Sequence, residues 1–460
     1  MKARHILPAL VTSALMSACA LTPDYVAPDP DIPQAYVQPA DGGESIANVE
    51  WFDVFDDPAL VTHVETALRE NPDRAVALAR IAEAREFVQI TRSDQYPFVD
   101  IAGGASRGRQ SQFVVPGADT DDTFSLSAGF TFELDLWRKL ARATEAARAD
   151  LLATEAAYRG ITIQLVAEVA STYFLLLDLD ARLQISRETV ASRSDSLKII
   201  EARYERGTVA EIDANQAQIQ LAVAEAAVAG FERRVTQTEN ALHALRGGFP
   251  GPIERGKPLI DWELRSSVPT GLTSELLQRR PDLVATERAF AAETARIGVA
   301  EALRWPSVSL TGTLGTVSDE LSSLNRNKAK VWDIGTGFLA PVFNSGQLKA
   351  QAEAQRDRAE QAFLNYESAV REAFREVEDA LVGVRTLYAE QQARGRQVRA
   401  SRNAARLSGA RYDSGTIDYL EVLDSERSLF NASLEESAAR QAALVALVRL
   451  YEALGGGWAP

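Results

Sequence analysis

The sequence predicts a mainly α-helical chain with a small membrane β part: long coiled-coil helices plus four β-strands, the whole internally duplicated. Three observations carry that reading. One turn is written twice at a fixed distance. Two proline-free stretches are long enough for single helices of unusual length. The segments before them alternate apolar and polar residues with period two.

The repeated turn comes first. "ARYERGT" at 202–208 returns as "ARYDSGT" at 410–416, so Ala202, Arg203, Tyr204, Gly207 and Thr208 recur 208 residues on as Ala410, Arg411, Tyr412, Gly415 and Thr416. Tyr158 maps to Tyr366 at the same offset, while Pro72 and Pro97 map to Pro281 and Pro306 at 209. Solenoid repeats have periods of about 20 to 50 residues, so this period marks two halves. The expected division is a signal segment 1–18, an extended segment 19–57, a first repeat 58–246, a connector 247–272, a second repeat 273–454 and a tail 455–460. Each half begins with a helix, about Pro58 to Asp94 and Thr273 to Leu303. A proline-started strand, a polar loop and a second strand follow. Then come a very long helix, the repeated turn and a shorter helix.

Proline spacing defines the long helices. No proline falls between Pro116 and Pro250, nor between Pro341 and Pro460, and a proline inside a helix costs about 3 kcal/mol. Tyr158, Ile161, Leu165, Val169, Tyr173, Leu176, Leu179 and Leu183 step by three or four, a helical stripe of coiled-coil kind. Helices over Lys139–Glu205 and Gln347–Asp413 would each run about 100 Å at ~1.5 Å per residue. Gly207 and Gly415 would end them in the left-handed conformation, with Thr208 and Thr416 capping the helices that follow.

The strands alternate. Phe124, Leu126, Ala128, Phe130, Phe132, Leu134 and Leu136 interleave with Ser125, Ser127, Gly129, Thr131, Glu133 and Asp135. Val308, Leu310, Leu314, Trp332, Ile334, Phe338 and Val342 continue the pattern in the second half. A soluble sheet over a core shows this alternation, and so does a membrane barrel. The barrel is the expected form, because a signal segment and polar hairpin loops accompany it. Four strands cannot close a barrel, and an open edge in lipid leaves backbone N–H and C=O groups unsatisfied. At least two copies must therefore share one barrel.

Composition narrows the function classes. The chain is 46% apolar and 25% charged, with net charge −15, which disfavours nucleic acid as a partner. After the signal segment no run of about 20 consecutive apolar residues is found, so no transmembrane helix is expected. The histidines His5, His63 and His243 have no ligand-spaced partners, and no Ser-His-Asp set, metal motif or glycine-rich phosphate loop occurs. No enzymatic activity, metal or cofactor is expected. The single cysteine, Cys19, follows Lys2, Arg4 and the apolar run Ile6 to Met16, a signal-peptide pattern.

"LMSAC" resembles the lipobox of bacterial lipoproteins, with Ala20 after the cysteine. That resemblance implies a covalent lipid (palmitate among its acyl chains) on Cys19 and sorting to the outer membrane. Further segments extend the likeness: "WFDVFDDPALVTHVETALRENPD" at 51, "LLQRRPDLVATERAFAAETARIGVAEALRWPSVSLTG" at 276 and "ARYDSGTIDYLEVLDSER" at 410. They resemble the TolC-type outer-membrane efflux factors, in the NodT-like or OprM-like lipoprotein branch. The family usually carries a glycine after the aromatic residue of "ELDLWRKLAR", where this chain has Arg138.

The resemblance implies a homotrimer, completing a 12-stranded β-barrel and a 12-helix tunnel. It implies a periplasmic adaptor and an inner-membrane pump of RND type as partners, with passive export of small molecules through the outer membrane. It places a periplasmic gate on Leu420, Glu421 and Asp424, where the two carboxylates, three residues apart, share one helix face. Arg203, Gly207, Thr208, Arg411, Gly415 and Thr416 are the candidate adaptor-docking residues, with helix capping as the competing role. The alternatives are a non-conducting, lipid-anchored periplasmic coiled-coil scaffold, and the exit duct of a type I protein secretion system.

Overall fold

The computed structural model of the 460-residue chain describes residues 24–38, Ser45, Asn48, 57–271 and 273–456. The signal segment, Cys19, much of the extended segment after it and the end of the tail lie outside the described residues.

The elements follow the proline and glycine punctuation. The first repeat holds α1 (Pro58–Glu70), α2 (Pro72–Ser93), β1 (Phe98–Arg109), β2 (Thr120–Leu134), α3 (Lys139–Glu205) and α4 (Glu211–Leu245). The second holds α5 (Leu276–Arg279), α6 (Pro281–Ala302), β3 (Ser307–Ser318), β4 (Lys330–Leu339), α7 (Gln347–Asp413) and α8 (Tyr419–Ala453). The two 67-residue helices match their expected bounds.

The opening helix of each half differs from expectation, being two helices rather than one. Pro72 lacks an N–H and pushes Asn71 out of the α region, to ψ 127°. Pro281 does the same to Arg280, at ψ 116°. The second strand also ends earlier than its alternation suggested, at Leu134. Asp135 instead turns to accept hydrogen bonds from the backbone N–H groups of Leu140 (3.0 Å) and Ala141 (2.8 Å), capping α3.

The chain divides into two compact units. One comprises Met1–Asp29, Arg80–Glu155 and Ala285–Glu367. It contains a four-stranded antiparallel sheet in the order β1-β2-β3-β4. Beside the sheet elements, Tyr25 packs edge-on against Phe290, and its hydroxyl donates to Glu287 at 2.8 Å.

The other unit comprises Pro30–Ala79, Ala156–Val284 and Ser368–Pro460. The stripe read from the sequence is its core: Leu165, Val169, Tyr173, Leu176, Leu179 and Leu183 are buried, with Leu60, Val64, Leu242, Leu283, Leu444 and Leu450. One window of α3 is apolar enough by length and composition to cross a membrane, where none was expected. Nearly half of that window is buried in the fold, as a core helix requires.

The connector is pinned to this core by polar contacts. The Asp57 carboxylate accepts from Leu60 N–H, capping α1, and from Lys257 N–H at 2.9 Å. Tyr173 accepts from Gly256 N–H at 2.7 Å, and a Cβ on Gly256 would lie 2.3 Å from the Asp57 carboxylate oxygens. Arg255 bridges Asp180 (2.9 Å) and Glu239 (2.6 Å). His63 is a core residue, its ring tilted against that of Tyr173 at 5.5 Å and hydrogen-bonded through Nε2 to the Glu254 carbonyl at 2.9 Å.

Candidate functional site

Two regions carry functional chemistry: the faces of the sheet and the tips of the long helical hairpins.

In a sheet, residues directly opposite one another share a face. The register therefore sorts every strand residue. One face carries Val99 and Ile101 on β1, then Phe124, Leu126, Ala128, Phe130, Phe132 and Leu134 on β2. It continues through Val308, Leu310 and Leu314 on β3 to Trp332, Ile334 and Phe338 on β4. Ile101 and Trp332 are 78% and 74% exposed. So large a continuous apolar surface marks contact with another molecule or with lipid. The Phe130 ring lies over Gly312, where a Cβ would sit 2.3 Å from it. That glycine lets an aromatic side chain close the apolar face.

The opposite face is built mainly of Ser, Thr and Gly, with Asp100, Asp121, Glu133 and Asp333 among them and Phe98, Val317, Val331 and Leu339 near its ends. Among the described residues β1 and β4 are edge strands, each with one side unpaired.

The β2-to-α3 turn holds a consequence of the missing family glycine. Arg138 adopts φ 60°, and its counterpart in the second half, Gly346, adopts φ 86°. Trp137 stacks on Trp305 at 5.1 Å, and its indole N–H donates to the Pro306 carbonyl at 2.6 Å. These contacts hold a turn whose left-handed residue carries a side chain.

The tips are two copies of one helix-ending motif. Gly207 and Gly415 both adopt φ 72°. Gly207 N–H donates to Tyr204 O and Thr208 N–H to Arg203 O, at 2.8 and 2.9 Å. Gly415 and Thr416 repeat this with Tyr412 O and Arg411 O, at 2.9 and 3.0 Å. That is the paired bonding of a Schellman ending. The threonines do not cap the following helices, as expected of them. Their hydroxyls turn back to the Arg203 and Arg411 carbonyls at 2.8 and 2.9 Å. The N-caps are Ala210 and Asp418.

The two tips pack on each other within the chain. Ile200, Ala217, Tyr419, Val422 and Leu423 form a buried cluster, with Leu197, Val209, Ala214, Tyr412 and Ile417 against it. The Arg203 guanidinium sits over the Tyr412 ring at 5.1 Å and approaches Asp413 at 3.6 Å. Tyr412 in turn meets Tyr419 at 5.2 Å. Burial and the nearby Glu426 push the Tyr419 hydroxyl up to about 12. Burial raises the Glu426 carboxyl, opposed by Arg193. Burial lowers Arg193, which donates to Gln220 O at 2.6 Å and lies over Phe430 at 5.0 Å.

Of the candidate gate residues, Leu420 is 62% exposed. Glu421 stands 3.5 Å from Arg411, and Asp424 2.5 Å from Arg427, so each carboxylate has a cation beside it. Gly207 and Gly415 face open space. Sequence reasoning missed Tyr419, Arg193 and Phe430. Only the aromatic character of the second tip hinted at them.

These features belong to a known class. A family model described as outer membrane efflux protein matches residues 63–248 and again 272–456. The chain belongs to that family, a family of channels rather than enzymes.

Among its relatives is the cation efflux system protein CusC of Escherichia coli K12. It is 33% identical over 460 residues, covering 98% of this chain and 99% of that protein. The toluene efflux pump outer membrane protein TtgI of Pseudomonas putida is 33% identical over 454 residues, 96% of each chain. Among solved structures, the outer-membrane channel OprN superposes with a TM-score of 0.88 at 30% identity, over 96% of this chain and 100% of that one. The open state of the Neisseria gonorrhoeae MtrE outer membrane channel gives 0.85 at 30% identity, over 95% and 98%. This chain is an outer-membrane efflux channel that extends into the periplasm.

Proposed function

We propose that three copies of this chain share one 12-stranded barrel and one 12-helix tunnel. The assembly passes small molecules from a periplasmic adaptor and an RND-type inner-membrane pump to the outside. The observation that carries the reading is the open four-stranded sheet with an apolar face and two unpaired edges. In lipid each unpaired backbone group costs several kcal/mol, and only closure with sister strands removes the edges. Cys19 carries the lipid anchor. The pump supplies the energy, and transit through the duct is passive.

In this reading Leu420, Glu421 and Asp424 line the closed periplasmic aperture. Arg203, Gly207, Thr208, Arg411, Gly415 and Thr416 present the surface that the adaptor grips. The contacts between the two tips hold the second hairpin against the first, which is the closed setting. Opening must break the Arg203–Tyr412 contact or the Tyr419 packing.

The test is current through planar bilayers containing the purified full chain. Small closed-state currents should rise severalfold in an Arg203→Ala/Tyr419→Ala variant. Protein that inserts yet never conducts, in wild type or variant, would instead support the non-conducting scaffold.

A further inference from the structure

The apolar sheet face changes character toward the hairpin loops. On β4 it runs from Phe338 through Ile334 and Trp332 to Lys330. On β1 it runs from Val99 and Ile101 to Arg107 and Arg109. These three are all the basic residues of the four strands, and all share the parity of the apolar face. The loop that leads into β4 adds Arg326 and Lys328. All five cations belong to exposed residues.

Their anionic partners are few. Asp122 meets Arg107 at 3.7 Å. Arg109, Arg326, Lys328 and Lys330 have no ion pair among the described residues. The loop acids are turned to hydroxyls and backbone instead. Asp319 accepts from the Ser318 hydroxyl at 3.3 Å, Glu320 from the Ser322 hydroxyl at 3.3 Å, and Asp119 from Thr120 N–H at 3.0 Å.

The height of these cations follows from the strand. Phe338 and Lys330 lie eight positions apart on β4, about 27 Å at ~3.4 Å per residue. Tilted by about 40°, the strand rises roughly 21 Å between them. That is close to the ~25 Å apolar band of an outer-membrane barrel. Lys330 therefore stands where hydrocarbon gives way to headgroups. The helices α2 and α3 join the opposite ends of the strands, so the basic end is the outer rim.

We propose that this rim binds the phosphorylated glycolipid of the outer leaflet. Lys330, Arg326 and Lys328 of one chain and Arg107 and Arg109 of the next hold its phosphates. This rests on the shared-barrel reading, in which β4 of one chain pairs with β1 of its neighbour. About 4.8 Å then separates the two strands, and the two basic groups meet at one seam. Each group is half a site, completed by the sister chain. Guanidinium groups take phosphate oxygens in pairs, and ammonium groups act as point charges. The acyl chains lie along Trp332 and Ile334 on one side of the seam and Ile101 and Val99 on the other. An inner-leaflet phospholipid finds no such match, because the other end of the apolar face carries Val99, Leu134, Val308 and Phe338 and no charge.

The experiment is native mass spectrometry of the purified full chain, incubated with bisphosphorylated lipid A, with lipid A stripped of both phosphates, or with phosphatidylglycerol. The trimer should retain the bisphosphorylated form severalfold more often than either other lipid. Arg109→Gln/Lys330→Gln should lose most of that preference, and Lys198→Gln on α3 should leave it unchanged. A preference that the double variant keeps overturns the proposal. Phosphatidylglycerol retained as well as lipid A also overturns it, since any anionic lipid would then serve.

If the double variant fails to assemble, wild type gives a second measurement. Acetylation of Lys328 and Lys330 in proteoliposomes, read by peptide mass, should be several times slower with bisphosphorylated lipid A than with the stripped form. Equal rates overturn the inference. A trimer without lipid preference refutes this inference alone, whereas a particle of one chain mass refutes the shared barrel and the seam with it.

Discussion

The two hairpin tips share a backbone and differ in what they do with it. Both end a 67-residue helix with a glycine at φ 72° and a threonine folded back on the same carbonyl. Beyond that they diverge. Tyr204 of the first tip is 43% exposed, while its counterpart Tyr412 is half-buried between Arg203 and Tyr419. Tyr419 is buried, and the residue 208 positions earlier is the exposed Glu211. One tip supplies a cation and the other supplies the aromatic and acidic partners. Duplication gave one shape twice, and divergence made the copies complementary.

Substitutions made in pairs across the duplication would break or sharpen this contrast. Tyr419→Ala should cost about 3 kcal/mol of local stability at the tips, the order expected for losing a buried ring. Glu211→Ala should cost almost nothing. Hydrogen exchange resolved to residues 410–430 would read the difference, and equal effects would end the claim that the second tip leans on the first.

The glycines should behave alike. Gly207→Val and Gly415→Val should each cost about 1–2 kcal/mol through backbone strain alone, since a Cβ at either meets nothing within 4 Å. A much larger loss of efflux than of stability at either glycine would point to adaptor contact.

Arg203→Ala should lose roughly 0.5–1 kcal/mol of cation–π attraction. Arg411→Ala loses only an exposed pair to Glu421 at 3.5 Å and should lose less. A double-mutant cycle with Tyr412→Leu would isolate the Arg203 contact.

The smallest effect lies in the connector region. Burial holds His63 below its ordinary 6.5, because the fold disfavours the charged imidazolium. The unfolded chain binds a proton as pH falls through about 6.5 while the folded chain resists. The His63 contribution is therefore full above that pH and declines below it. Thermal unfolding of wild type against His63→Gln, from pH 8 to 5, should show the difference narrowing with acidity.

Local rules were the most legible part of the sequence. Gly207, Gly415 and the proline gaps located both long helices, and the alternation on β2 assigned its faces. The split opening helices were less visible. Pro72 and Pro281 mark the repeat, and each also denies the preceding residue its helical ψ. At Arg138 a missing glycine was evident, yet only the structure shows the turn kept at φ 60°. The tip contacts were illegible for a different reason. Arg203 and Tyr412 are more than 200 residues apart in the chain, and no periodicity records which hairpin lies beside which. Asp57 and Lys257 likewise meet only through the fold.

The central claim is that the chain holds one share of a barrel completed by sister chains. The mass of the detergent-solubilised particle, corrected for bound detergent, tests it most directly. A value of about three chain masses is expected. A stable particle of one chain mass, with its strand content intact, would contradict it.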